Sequence, residues 1–166
     1  HLVLKVLQGL SDDSPGNTLY QDTARIRGFD PVRAGDVASA RATALIYEPL
    51  LQYAYLERPY MLEPLLADRL PDISGDGLVY TFSIRRGIYF QDDPCFAASD
   101  GRGREVTADD FVYAVKRMAD RKNQSVGYWT LSGRVVGLDA FRDKSAEPGP
   151  TDYAAGIHGI RALDRY

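Results

Sequence analysis

Glu105-Val-Thr-Ala-Asp-Asp-Phe-Val-Tyr-Ala-Val-Lys-Arg117 carries the fold assignment, because its local chemistry is that of one well-delimited helix. Thr107 stands where a hydroxyl can accept from the amides of Asp109 or Asp110, and two acidic residues follow at the positive end of the helix dipole. Phe111, Val112, Val115 and Met118 recur at helical spacing on one stripe, and Lys116, Arg117 and Arg121 complement the negative end. Just upstream, Asp76-Gly77 is a favoured hairpin turn, since both residues tolerate positive φ. After it Leu78, Tyr80, Phe82 and Ile84 alternate with Val79, Thr81, Ser83 and Arg85, which predicts a half-buried antiparallel strand. Arg86-Gly87 then turns the chain into a short extended piece, Ile88 to Phe90. A helix beside antiparallel strands places the chain in the α+β class.

Farther out the reading is coarser. Leu2 to Leu7 is a short apolar, β-branched run ending at Gly9, predicted as a strand buried in a sheet. Residues 11–17 are turn chemistry, residues 18–35 read as irregular, and Phe29-Asp30-Pro31 marks a turn. Asp36 is the N-cap of an alanine-rich helix running to Tyr47, stopped by Pro49. Pro59, Pro64 and Pro71 punctuate a loop and a short extended piece. Residues 91–105 form a polar loop. Tyr128-Trp129 follows another loop, Leu138 to Arg142 is a short amphipathic piece, and 145–152 is a surface loop. Gly159 to Tyr166 reads as the start of a hairpin, whose other arm lies outside these residues and whose edge would stand unpaired.

Composition narrows the functional classes. The 166 residues carry 45% apolar and 26% charged residues at net charge −3, a globular mix without the basic excess of a nucleic-acid binder. Nor is there an apolar run long enough to span a bilayer. Cys95 is the single cysteine, so no internal disulfide can form, and with His1 and His158 it cannot assemble a Cys/His zinc cluster. No secretory leader is visible over His1 to Gly9. Gly101-Arg-Gly103-Arg-Glu105 lacks the ending of a phosphate loop, and Val106 stands where a dinucleotide fingerprint needs glycine. Asp72 to Gly77 resembles the front of a calcium loop, but Ser83 replaces the required twelfth-position glutamate. Cys95 and His158 have no orienting third group, so Cys95 reads as a buried or loop thiol. No catalytic or metal residue and no cofactor is assigned. Asn123-Gln-Ser125 fits a glycosylation triplet. Among the aromatics, Tyr47, Tyr80 and Tyr89 read as packing, while Tyr128-Trp129 is the candidate wall of a binding cleft.

Several segments together resemble the family 5 extracellular solute-binding proteins, the peptide- and nickel-binding group that serves ABC importers. They are Phe29-Asp30-Pro31 with Ile46 to Leu51, Glu63 to Asp68, Ser74 to Phe90, Glu105 to Arg117 and Gly159 to Arg165, in order and spacing over residues 29–166. The resemblance implies part of a periplasmic-binding-protein-like clamshell. Residues 1–47 would begin the first lobe, and residues 48–166 would form most of a small inserted α+β domain with an antiparallel sheet and flanking helices. The second lobe would lie outside these residues, so this stretch alone should bind ligand weakly or not at all. The long loop 91–105 departs from the shorter Asp-Gly turn of many relatives and suggests a subgroup.

By the same resemblance, Gly35, Asp36 and Val37 would offer backbone groups to a ligand main chain, and Tyr128, or secondarily Trp129, would touch the ligand. Main-chain pairing of this kind suits varied peptides. The implied role is capture of peptides, most simply oligopeptides, outside the cytoplasmic membrane, in the periplasm or extracellular space. The implied partners are the peptide and the importer's membrane subunits, with no nucleic acid and no membrane contact except through the transporter or a lost anchor. A nickel chelate or a sugar is the alternative ligand. The alternatives from other classes are an interaction module pairing through its open strand edge and an enzyme using the aspartates with Cys95.

Overall fold

A computed structural model describes residues 2–5, 18–21 and 25–166. Strand β1 (Leu2–Lys5) pairs antiparallel with β2 (Thr18–Gln21), Val3 opposite Tyr20. The first strand is where the apolar run put it. The second replaces the irregular segment expected there: Thr18-Leu19-Tyr20 has β-branched and aromatic residues, but is too short to show a period. The turn expected at 11–17 lies outside the described residues.

Helix α1 (Val37–Ala44) starts at the cap the sequence marks. The Asp36 carboxylate accepts from the Ser39 amide at 2.9 Å and the Ser39 hydroxyl at 2.8 Å. The helix ends three residues before Tyr47, in a tightened turn where the Ile46 and Tyr47 amides both donate to the Thr43 carbonyl. That is the exit expected of a chain approaching Pro49.

The mixed α+β class is observed, with the antiparallel pairing divided into three two-stranded pieces. β3 (Leu51–Tyr53) pairs with β4 (Leu62–Pro64), a hairpin that the prolines concealed. Pro64 is tolerated because it sits at the end of a two-stranded edge, where its missing donor costs nothing. β5 (Asp72–Ile73) and β6 (Tyr80–Thr81) close around Gly77 at φ +71°, with the Ser74 amide donating to Val79 at 3.0 Å. The predicted long strand is corrected to this short pair plus an isolated Ala67–Ile84 bridge. Ile84 is buried and Tyr80 is not; among the described residues no layer covers the hairpin's outer end. The packing role expected of Tyr47, Tyr80 and Tyr89 is likewise overturned, since all three are at least half exposed.

Helix α2 (Ala108–Ala119) begins at Thr107, and Asp110 reaches back to accept from the Thr107 amide at 2.8 Å, the reciprocal half of a capping box. Asp110 is also gripped by both terminal nitrogens of Arg104. Burial pushes its carboxyl up, but the Arg104 guanidinium and the Thr107 amide outweigh this and hold it below the usual range. α3 (Leu138–Lys144) packs on α2. Ala119, Tyr128, Leu138, Phe141 and Ile157 form the core there, with Val115, Leu131, Val135 and Ile160 against it.

The hairpin expected to start at Gly159 has its other arm outside these residues, and no strand forms over 159–166 among the described residues. Ile157 and Ile160 make one bridge, and the last residues fold back on the start of α2. The Ala108 amide donates to the Arg165 carbonyl at 3.0 Å, and Glu105 accepts from Arg165 at 3.1 Å and from the Tyr166 hydroxyl at 2.6 Å.

Candidate functional site

The segment before α1 is anchored to the end of α2. The Asp30 carboxylate folds its own turn by accepting from Val32 at 3.1 Å, and takes an ion pair from Arg117 at 2.8 Å. Burial raises the Asp30 carboxyl, yet Arg117, the Val32 amide and Arg33 together keep it below its ordinary value. Arg33 Nε donates to the Asn123 carbonyl at 3.0 Å, and the Val126 amide donates to the Val32 carbonyl at 3.3 Å. Gly35 sits so close to Val126 that a β-carbon there would lie 3.2 Å from Val126 Cγ1. The structure therefore brings the Gly35–Val37 segment against the loop leading into Tyr128-Trp129, two stretches about as far apart in sequence as Arg33 and Asn123, which are separated by 90 positions.

Within that arrangement the named residues play different parts. Asp36 caps α1, and its carboxyl is held low chiefly by the Ser39 amide and hydroxyl. Val37 opens the helix and is exposed. Asp36 also lines a cleft of about 530 Å³ with Arg25, Ile26 and Arg27. A second cleft, of about 450 Å³, has Ser125, Val126, Tyr128 and Trp129 in its wall together with Asp139 and Arg142 from α3. The Ser125 hydroxyl there is shielded and has no hydrogen-bond partner among the described residues.

Tyr128 and Trp129 face opposite ways from one 3₁₀ turn over Tyr128–Thr130. Tyr128 is 6% exposed and belongs to the core; Trp129 is 73% exposed. The Tyr128 hydroxyl donates to Asp139, and the Arg142 guanidinium lies 4.1 Å from its ring centre. Burial first, then the Asp139 carboxylate, pushes the Tyr128 phenol up to about 12. Asp139 is held low by the same hydroxyl and by the Gly133 amide. The phenol's folded pKa lies above its unfolded value near 10, so the stabilisation is complete below about pH 10 and is lost as pH rises through about 12. Difference ultraviolet titration of wild type against Tyr128→Phe should therefore show the Tyr128 phenol ionising near pH 12; a difference transition at the ordinary phenol value of about 10 would contradict the geometry.

The sequence reading missed Val126, Asp139 and Arg142. Val126 is an isolated apolar residue in a polar loop, and only the chain's return beside Gly35 gives it a role. Asp139 lies in the short amphipathic piece from Leu138 to Arg142, and only the fold shows it in the first turn of α3, facing the Tyr128 loop. Cys95, read as a buried or loop thiol, is exposed in its loop, and the neighbouring Asp93 carboxylate raises its pKa. Among the described residues, no three His, Cys, Asp or Glu side chains gather as a metal site would require.

Comparison with known proteins gives a consistent set of matches. Residues 61–166 match the family model described as bacterial extracellular solute-binding proteins, family 5 Middle. The chain is similar to Di/tripeptide-binding protein 2 of Pseudomonas aeruginosa, 39% identical over 95 residues, which cover 56% of this chain and 16% of that protein. It is 32% identical over 95 residues to the oligopeptide-binding protein AmiA of Streptococcus pneumoniae, covering 57% of this chain and 12% of that one. It is also 32% identical over 109 residues to Heme-binding protein A of Haemophilus influenzae, covering 64% and 19%. Among solved structures, the pheromone receptor PrgZ, described with its mode of peptide binding, superposes at TM-score 0.55 and 26% identity, over 76% of this chain and 22% of that one. Listeria monocytogenes OppA bound to peptide shares the fold at TM-score 0.58 and 23% identity, over 87% and 24%. The chain thus spans between about an eighth and a quarter of the length of these relatives.

Proposed function

We propose, because this chain belongs to the family 5 bacterial extracellular solute-binding proteins, that it serves in the peptide-capturing component of an ABC importer. Residues 1–47 contribute to the first lobe and residues 48–166 to the smaller inserted domain. Capture takes place outside the cytoplasmic membrane, in the periplasm or extracellular space, and the loaded protein delivers its ligand to the importer's membrane subunits. The peptide is bound and released unchanged.

One observation supports this reading above the rest. The Gly35–Val37 segment, where α1 begins, is fastened beside the Val126–Trp129 loop by Arg117–Asp30, Arg33–Asn123 and Val126–Val32. Helix starts leave amide donors without intrahelical partners, here at the exposed Val37, and the exposed Trp129 stands on the neighbouring loop. Backbone donors beside an aromatic wall suit an extended main chain with variable side chains.

The test is thermal unfolding of the full-length protein with defined di-, tri- and pentapeptides, followed by chromatography of the peptide. An upward shift of several degrees with the peptide recovered intact is expected; at a hundredfold excess over Kd, binding adds about 2.7 kcal/mol. Peptide hydrolysis would replace the carrier reading with an enzyme. The named resemblance to Heme-binding protein A favours a second reading, a non-peptide solute, so hemin, a nickel chelate and a sugar belong in the same panel. A shift with one of these and with no peptide would establish it.

A further inference from the structure

We infer that Trp129, held outward by an Asp139 clamp on its loop, is the residue of this segment that reads a bound peptide's side chain, and that it selects apolar and aromatic ones. This rests on the peptide-binding reading and narrows it. Tyr128 is the neighbour that resemblance favours, but its chemistry is already committed. Its ring is in the core under the Arg142 guanidinium, and its hydroxyl is donated to Asp139. A ligand could reach that phenol only by dismantling the contacts that seat the loop.

Asp139 gathers the loop from three points. Besides the Tyr128 hydroxyl it accepts from the Ser132 hydroxyl at 3.1 Å and from the Gly133 amide at 2.8 Å. Arg134 adds a hydrogen bond to the Thr130 carbonyl at 2.6 Å, and Thr130 Oγ1 donates to Gly127 at 2.8 Å. With Tyr128 drawn in, a single 3₁₀ turn leaves Trp129 pointing out. Asp139 is therefore a positioning residue, and Trp129 is the contacting one.

The chemistry of the surroundings sets the preference. Val126 shares the cleft wall with Trp129, is half exposed, and touches the Gly35 segment. The cleft's charged groups are already engaged: Arg121 with Asp143 at 2.6 Å, Arg142 with the Ala119 carbonyl at 3.0 Å and the Tyr128 ring, and Asp139 with its three donors. An incoming charge would find an indole, a valine and spoken-for ions. An apolar or aromatic side chain gains burial against both, with ring stacking in addition.

The experiment measures affinities of the full-length protein for Ala-Ala-Ala and for the three tripeptides with one alanine replaced by phenylalanine, by calorimetry. Wild type should prefer phenylalanine at one position. Trp129→Ala should cut that preference ratio about tenfold, whatever it does to Ala-Ala-Ala binding, and Trp129→Phe should restore most of it. Asp139→Asn should lower the same preference ratio; a merely structural role for Asp139 would weaken all four peptides alike and leave the ratio unchanged. A wild-type preference that survives Trp129→Ala overturns the assignment alone. A wild type that binds none of the four peptides overturns the peptide reading, and this assignment with it.

Discussion

Truncating Leu138 to alanine is expected to cost about 3–4 kcal/mol of unfolding free energy. Leu138 is the first residue of α3 and is fully buried. Its neighbours come from four separate pieces of chain: Ala119 at the end of α2, Tyr128 in the 3₁₀ turn, Phe141 one turn along α3, and Ile157 in the last bridge. Each is fixed by bonds of its own, such as Arg142 to the Ala119 carbonyl at 3.0 Å and the Gly159 amide to the Val136 carbonyl at 2.8 Å. The walls cannot collapse inward together, so the cavity stays and its cost adds to the lost transfer energy of the side chain. Urea unfolding should show a lower midpoint at unchanged slope. Loss of less than about 1 kcal/mol would mean that this cluster is not the core of the α2–α3 unit. The cluster that holds Leu138 also seats Tyr128, next to which the proposed ligand contact Trp129 is exposed.

The parts legible in the sequence were those whose chemistry is local. Thr107, Asp110 and the Phe111–Met118 stripe announce α2 within a dozen residues, and Asp36 caps α1 through Ser39, three residues on. Asp76-Gly77 fixes a turn because only two residues have to agree. What failed was inference about layers. Alternation from Leu78 to Ile84 reports which side chains share a face, not whether another element covers it; Ile84 is covered and Leu78 is 79% exposed. The β3–β4 hairpin was obscured because its prolines read as breaks, although Pro64 pairs opposite Leu51 at an edge.

The candidate site divides along the same line. The cap role of Asp36 and the aromatic pair at 128–129 are visible in sequence. Which member of the pair turns inward depends on Asp139, eleven residues later, and on Arg142, and no spacing rule links these to a tyrosine hydroxyl. Similarly, Asp30-Pro31 is recognisable as a turn, but its ion pair with Arg117 is a product of tertiary folding. The resemblance implied only that both segments touch a ligand; the contacts between Val32, Gly35 and Val126 are what set them side by side.

Gly103→Ala should open the 88–106 loop, at a cost of about 3 kcal/mol, the upper range for forcing atoms into filled space. In sequence this glycine belongs to a polar stretch with no motif to give it a purpose. In the fold, a β-carbon at position 103 would fall 1.8 Å from the Phe90 carbonyl oxygen and 2.6 Å from its carbon, so main chain, not a flexible side chain, has to move. Phe90 stands in the ladder joining the loop's two arms: its amide donates to the Arg104 carbonyl at 3.0 Å, the Asp93 amide to Gly101 at 2.8 Å and the Val106 amide to Ile88 at 2.8 Å. The Arg104 guanidinium lies 4.9 Å from the Phe90 ring centre, so displacing Phe90 also disturbs the residue that grips Asp110 at the start of α2. Hydrogen exchange at the Phe90, Asp93 and Val106 amides should accelerate about a hundredfold. Gly75→Ala is the control, since a β-carbon there meets nothing within 4 Å. If the two substitutions leave exchange equally slow, the two arms are not in the close contact described, and the loop does not brace the head of α2.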